Sequence, residues 1–216
     1  KISLLSGIKT SLTFLDHPDI VWIPVSLEEI LRISGSAGLK MSDGLFSAKN
    51  LHSKEFSFSD DLLMIGIERC DEKLKMHLYP IELKIGGKGL EKKGIEQGRK
   101  TADLLRKHLT KKGFLGEFYR NFFAKLAITN AEKMNLYKIW TNKQWGFVFD
   151  DSRSDLLNNN FEVSNSLDSV YGKFSVVHFL KGETTTRSIK CEEDHVMVTL
   201  LEEDGYNFLV KPIDEL

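Results

Sequence analysis

Asp61, Glu82 and Lys84 are the residues whose types and spacing fit a definite chemistry. Asp61 opens the apolar run Leu62 to Ile67, and Glu82-Leu83-Lys84 lies near the end of the next such run, Leu74 to Ile85. Side chains alternate along a strand, so Glu82 and Lys84 project from one face and Leu83 from the other. Two carboxylates converging from adjacent strands make a hard oxygen site for Mg²⁺, with Mn²⁺ as the alternative ion. Such an ion polarises a phosphodiester and lowers the pKa of a bound water. A lysine two residues on orients that water or offsets charge developing on the phosphorane. Asp60 competes with Asp61 for the ion; Asp61 is preferred because it adjoins the apolar run directly. A Glu-x-Lys pair by itself also occurs as a plain ion pair on a strand face, so its weight comes from its surroundings.

Those surroundings are a hairpin and a helix. Leu62 to Ile67 and Leu74 to Ile85 have strand lengths, with Cys70-Asp71-Glu72-Lys73 as the turn between them. Gly86, Gly87 and Gly89 break the second strand. A helix is expected from Leu90 to His108, where Ile95, Gly98, Ala102, Leu105 and Leu109 recur at three- and four-residue spacing. Upstream, Ile8, Leu12 and Phe14 and then Ile20 to Val25 read as strand material. Ser26-Leu27-Glu28-Glu29 has the spacing of a capping box at the start of a helix, followed by an exposed Ser- and Lys-rich loop through Asp60. A second amphipathic helix is expected from Phe114 toward Trp140. Past a soft boundary near Thr141, Phe147 to Phe149, Phe174 to Leu180, Thr185 to Cys191, Val196 to Leu201 and Tyr206 to Val210 have strand character, with Asp204-Gly205 as a hairpin turn before the last. The expected fold class is α/β: a mixed central sheet flanked by helices over residues 1–140, and a mostly β region over residues 141–216 that extends the sheet or forms a small subdomain.

Composition is that of an ordinary globular chain, 41% hydrophobic and 28% charged in 216 residues, which excludes a disordered tract. Charge is distributed unevenly. Lys84 to Lys112 holds ten Lys and Arg against three Asp and Glu, whereas Glu192 to Leu216 holds one against eight. A basic segment beside Glu82 suits a polyanion, and the acidic tail is expected to face solvent, a partner or another domain. Gly86-Gly87-Lys88-Gly89 lacks the spacing and the Lys-Ser/Thr ending of a nucleotide-binding loop and is expected to give the backbone room to turn, with Lys88 beside a DNA phosphate. The six histidines show no pair at metal spacing, and His77 reads as a satisfied sheet residue. Cys70 and Cys191 are far apart, which speaks against a disulfide framework and fits a reducing cytoplasm. No apolar run approaches the roughly 18 residues of a membrane span, so no membrane partner is expected. The chain opens on Lys1 and closes on Ile213-Asp214-Glu215-Leu216, read as the limits of a domain excised from a longer protein.

The order helix, hairpin bearing Asp then Glu-x-Lys, and following helix resembles the PD-(D/E)XK nuclease superfamily, over roughly Ser26 to Lys112. The resemblance implies a restriction-endonuclease-like core and a Mg²⁺-dependent DNA endonuclease, with Asp61, Glu82 and Lys84 catalytic and Asp61, Glu82 and the Leu83 carbonyl holding the metal. It also implies a further carboxylate from the first helix. Glu28 is preferred there, because it flanks the apolar stripe while Glu29 serves as the partner of Ser26. In the turn and helix after the Glu-x-Lys strand, Lys88, Lys93, Gln97 and Lys100 take the places of DNA contacts. No proline precedes Asp61, a departure from the superfamily's name, and Pro18-Asp19 lies too far from Glu82 for a hairpin. More narrowly, the stretches Trp22 to Arg32, Gly44 to Asn50 and Asp60 to Met64 resemble the DptH/DndH family of bacterial phosphorothioation-dependent restriction proteins. That resemblance implies phage defence by cutting unmodified foreign DNA, in a restriction complex that includes a motor ATPase. The alternative is a non-catalytic nucleic-acid or protein-interaction module on the same fold.

Overall fold

A computed structural model describes residues 2–27, 62–69, 73–182, 184 and 187–216. Helix α1 (Ile2–Phe14) leads into strand β1 (Ile20–Ser26), and β2 (Leu62–Glu68) and β3 (Leu74–Gly86) form an antiparallel hairpin. Then come α2 (Leu90–Leu109), α3 (Phe114–Leu136), a π-helical turn at Phe147–Asp151, α4 (Arg153–Leu157), β4 (Phe161–Val163) and α5 (Asp168–Tyr171). The chain closes with β5 (Phe174–Leu180), β6 (Ser188–Cys191), β7 (His195–Leu201), α6 (Glu202–Val210) and a 3₁₀ turn at Ile213–Glu215.

The seven strands among the described residues share one mixed sheet, ordered β1-β2-β3-β5-β7-β6, with β4 beside the start of β3. The chain is therefore a mixed α/β protein, and strands from both sides of Thr141 meet in that sheet: β5 lies parallel to β3 with Glu82 opposite Val176 and Lys84 opposite His178. The prolines obey the ladder. Pro24 sits on β1, at the sheet's edge, and Pro80 falls between the registers of β4 and β5, where a strand N–H would find no partner.

Each face of the sheet has its own core. Ile23, Val25, Leu63, Ile65, Ile67 and Met76 pack under α2 and α3 against Leu105, Phe123 and Ile128. Trp22, Leu62, Met64, Tyr79, Ile81, Val177 and Phe179 pack on the other side with Leu12 and Leu15. There α1 meets α6 through the Ser6 hydroxyl, which donates to the Gly205 carbonyl, and through the Lys9 ammonium, which donates to Leu209 O at 3.1 Å.

Three sequence expectations are corrected. The stretch holding Ile8, Leu12 and Phe14 is helix α1, not a strand. Ile8 and Leu12 stand one helical turn apart, and Thr10 and Ser11 return their hydroxyls to the carbonyls of Ser6 and Gly7. Phe147 to Phe149 is a π-helical turn, with Phe147 and Val148 buried under α3 rather than paired in the sheet. Asp204-Gly205 is no hairpin turn and Tyr206 to Val210 is no strand: both lie in α6, where Asp204 accepts the Leu201 N–H at 2.9 Å and so satisfies a donor at the helix start. The helix expected from Ser26 and the loop after it lie outside the described residues, apart from Ser26 and Leu27 at its start. Among the described residues no helix is long and apolar enough to cross a membrane.

Candidate active site

The long strand β3 delivers Glu82 and Lys84 to the sheet face beneath α2, at the strand's carboxyl end. Alternation puts them on one side, and the Lys84 ammonium reaches the Glu82 Oε2 at 2.6 Å. Only 2% of the Glu82 side chain and 12% of the Lys84 side chain is exposed. A carboxylate this dry is costly unless paired, and the ammonium two residues on supplies the pairing.

Helix α2 can lie this low because of two glycines. A Cβ at Gly94 would come within 2.9 Å of Val176 Cγ1 and 3.4 Å of the Lys84 stem, and one at Gly98 within 2.4 Å of the Phe174 ring. The turn into α2 needs Gly89, whose φ of 99° is a left-handed conformation, and its N–H donates to the Glu91 carboxylate at 2.7 Å. Glu91 also faces His178 of β5, 3.1 Å from its Nδ1, while the His178 Nε2 lies 3.1 Å from the Gly86 carbonyl. Desolvation pushes the Glu91 carboxyl upward, but the N–H groups of Glu91 and Gly89, with His178, outweigh it and hold the pKa below its ordinary value. His178 is fully buried beside Lys84 across the β3–β5 ladder. A lone histidine inside the apolar run Phe174 to Leu180 carries no spacing signal, which is why sequence alone passes over it.

The other sequence candidates divide in two. Asp61 and Glu28, with their competitors Asp60 and Glu29, lie outside the described residues. Leu83 turns its side chain to the α1 face, packed against the core there. Gln97 follows Gly94 by three residues on α2, and its Oε1 is buried without a hydrogen-bond partner among the described residues. Lys93 and Lys100 are exposed on α2, Lys100 paired to Glu96 at 2.7 Å, and Lys88 is exposed in the turn before the helix. His77 on the opposite sheet face bonds through Nε2 to Glu68 at 2.6 Å.

As to metal, no group of three or more His, Cys, Asp or Glu is gathered among the described residues. Mg²⁺ takes few protein ligands, commonly one or two carboxylates with water completing the shell, so Glu82 with a backbone carbonyl and one further carboxylate makes a fitting donor set. Of the expected ligands Asp61, Glu82 and Leu83, the described residues include Glu82 and Leu83.

Three of the eight acidic residues of the tail are tied into the fold. Asp194 takes a forked pair of bonds from Arg99 of α2 at 2.7 and 3.2 Å, Asp204 another from Arg187 at 2.8 Å, and Asp214 accepts the Trp140 indole N–H at 2.7 Å. Comparison of the chain with protein-family models, with curated proteins and with solved structures finds no match in any of the three.

Proposed function

We propose that the chain is a metal-dependent DNA endonuclease whose active site is the Glu82–Lys84 end of β3. The observation that carries this is a buried carboxylate and ammonium side by side at a strand's carboxyl end, directly beneath a helix rich in lysine. Asp61 is joined by one peptide bond to Leu62, whose ladder partner Ile81 is joined by one peptide bond to Glu82. In this proposal Asp61, Glu82 and the Leu83 carbonyl hold Mg²⁺ or Mn²⁺, with Glu28 as the further carboxylate. The bound ion supplies Lewis-acid stabilisation of the phosphate and a more acidic water. Lys84 exchanges its bond to Glu82 for one to the attacking water or the phosphate oxygens, and its ammonium offsets the developing negative charge. Gln97 offers its unpaired buried oxygen to that water or to the nucleic acid, and Lys88, Lys93 and Lys100 neutralise backbone phosphates. The narrower resemblance places this activity in cytoplasmic restriction of foreign DNA that lacks a sulfur-modified backbone, beside a motor ATPase; it supports the setting and nothing in the site does.

Plasmid DNA incubated with Mg²⁺ or Mn²⁺ tests the assignment. Nicking is expected from the native chain, with a drop of at least about a hundredfold in Asp61→Ala and in Lys84→Ala. Nicking that persists unchanged in both variants sinks it. One observation favours the non-catalytic alternative: with Lys84 bonded to Glu82, the pair is already self-sufficient as a structural ion pair. Calorimetric titration with Mn²⁺ separates the two, because a purely structural pair takes up no ion.

A further inference from the structure

The exposed surface of α2 continues beyond the site toward two unburied aromatic rings. Lys93, Lys100 and Lys107 are all exposed and follow at seven-residue intervals, so they stand about 10 Å apart on nearly one line along the outside of the helix. At the far end, about 30 Å from Leu90, the chain turns through Lys111 and Lys112 into α3. There Phe114 is 82% exposed and Phe118 is 37% exposed, with ring centroids 6.3 Å apart. The Phe118 ring meets Tyr119 edge-on at 5.9 Å, and Tyr119 lies 5.4 Å from His108, the neighbour of Lys107. Arg120 donates to the carbonyls of Leu109 and Lys111 and fixes the turn that carries the rings. A line of ammonium groups leading to open aromatic faces is complementary to one class of ligand. The lysines match a phosphate backbone, and the rings match unpaired bases, which a duplex keeps stacked inside itself.

We propose that Phe114 and Phe118 form a stacking platform for single-stranded nucleic acid, whose backbone runs along the Lys93–Lys100–Lys107 line. The proposal rests on the nuclease reading only for where the strand leads, toward Glu82 and Lys84. It makes a single strand or a frayed end the preferred substrate.

Fluorescence anisotropy in EDTA, where no metal-dependent cutting occurs, tests it with labelled oligothymidylate and a duplex of equal length. Phe114→Ala is expected to weaken single-strand binding about tenfold and leave duplex binding unchanged. Phe114→Trp is expected to retain single-strand binding, and Phe114→Leu, apolar but without a π face, to lose it as Ala does. Lys107→Ala is expected to lower the salt slope by about one. Unchanged single-strand binding in Phe114→Ala overturns the proposal. So does equal weakening for both ligands, or a dimer-to-monomer shift in sedimentation with strand affinity intact, which assigns the rings to a second copy of the chain. Because Phe114 is so exposed, its variants keep the fold. A chain that binds oligothymidylate through Phe114 yet nicks no DNA retains this platform and loses the nuclease reading. A chain that nicks plasmid while Phe114→Ala binds like the native protein does the reverse.

Discussion

Strand β3 carries two charged clusters, one near each end and one on each face, built from similar residues but dried in opposite ways. Toward its carboxyl end, under α2, the carboxylate of Glu82 is the buried member and Lys84 covers it. Near its start, on the α1 face, the imidazole of His77 is the buried member at 3% exposure, while Glu68 and Lys75 sit at the rim at 19% and 29%. Burial pushes His77 below its ordinary pKa against the upward pull of Glu68, so the dry interior favours the neutral ring. The Glu82 carboxylate is instead balanced by the Lys84 ammonium 2.6 Å away. The difference teaches how each end is dried: the His77 cluster buries a ring that can become neutral, whereas the Glu82 cluster buries a carboxylate beside an ammonium, so removing one partner there leaves a costly buried charge.

The largest expected effect follows from that cost. Lys84→Met leaves the Glu82 carboxylate without its ammonium and is expected to lose about 3 kcal/mol of stability, measured by urea unfolding. The double variant Glu82→Leu/Lys84→Met removes both charges and is expected to return to within about 1 kcal/mol of the native chain while still failing to nick DNA. If the double variant is no more stable than the single, the pair is not the buried unit described here. At the other cluster, Glu68→Gln is expected to cost only about 1 kcal/mol, because water reaches the rim, and to leave nicking intact. A loss of nicking there would erase the contrast between the two ends of β3.

Two smaller effects appear as pH falls. His77 binds its proton less readily folded than unfolded, so its contribution is complete above about pH 6.5 and declines as pH drops below that value. His77→Gln is expected to flatten that limb of a stability-versus-pH profile. Asp194 behaves as a clamp between α2 and the start of β7. The Arg99 bond, outweighing desolvation and helped by His195, holds its carboxyl down to about 2. A depressed carboxyl stabilises the fold above its unfolded pKa of 3.8, and that stability fades as pH falls toward 2. Its size is small, because the pair is open to water. Arg99→Ala is expected to remove it, and an acid limb that stays unaltered would show that the clamp carries no stability.

The hairpin and α2 were legible in the sequence because their signals are local. The apolar runs have strand length, the glycines end the second run, and the three-and-four spacing marks the helix face. Glu82 and Lys84 were legible for the same reason: alternation alone places them together. Helix α1 was hidden because its hydroxyl residues, poor interior helix formers in isolation, are satisfied in place: Thr10, Ser11 and Thr13 donate to carbonyls one turn earlier, and Ser6 donates across to the Gly205 carbonyl of α6. Asp204-Gly205 has the composition of a turn, yet the Arg187 fork and the packing of Gly205 against Phe179, 3.1 Å from where a Cβ would stand, recruit it into a helix. His178 joins the site only through the parallel pairing of β3 with β5, and no spacing within one segment encodes a contact between segments so far apart.

That parallel pairing also bears on how the molecule comes into being. Strands β2 and β3 are neighbours along the chain and pair across a short connection, whereas β5 reaches β3 only after α2, α3 and the segments that follow have been laid down. Contacts between segments so distant must bear a large loop-closure entropy and form slowly. A growing chain therefore possesses the Glu-x-Lys hairpin well before it possesses Val176 and His178 opposite it. The Glu82–Lys84 face of the strand gains its neighbours Val176 and His178 only when β5 docks, so the charged pair reaches its dry setting together with the finished fold.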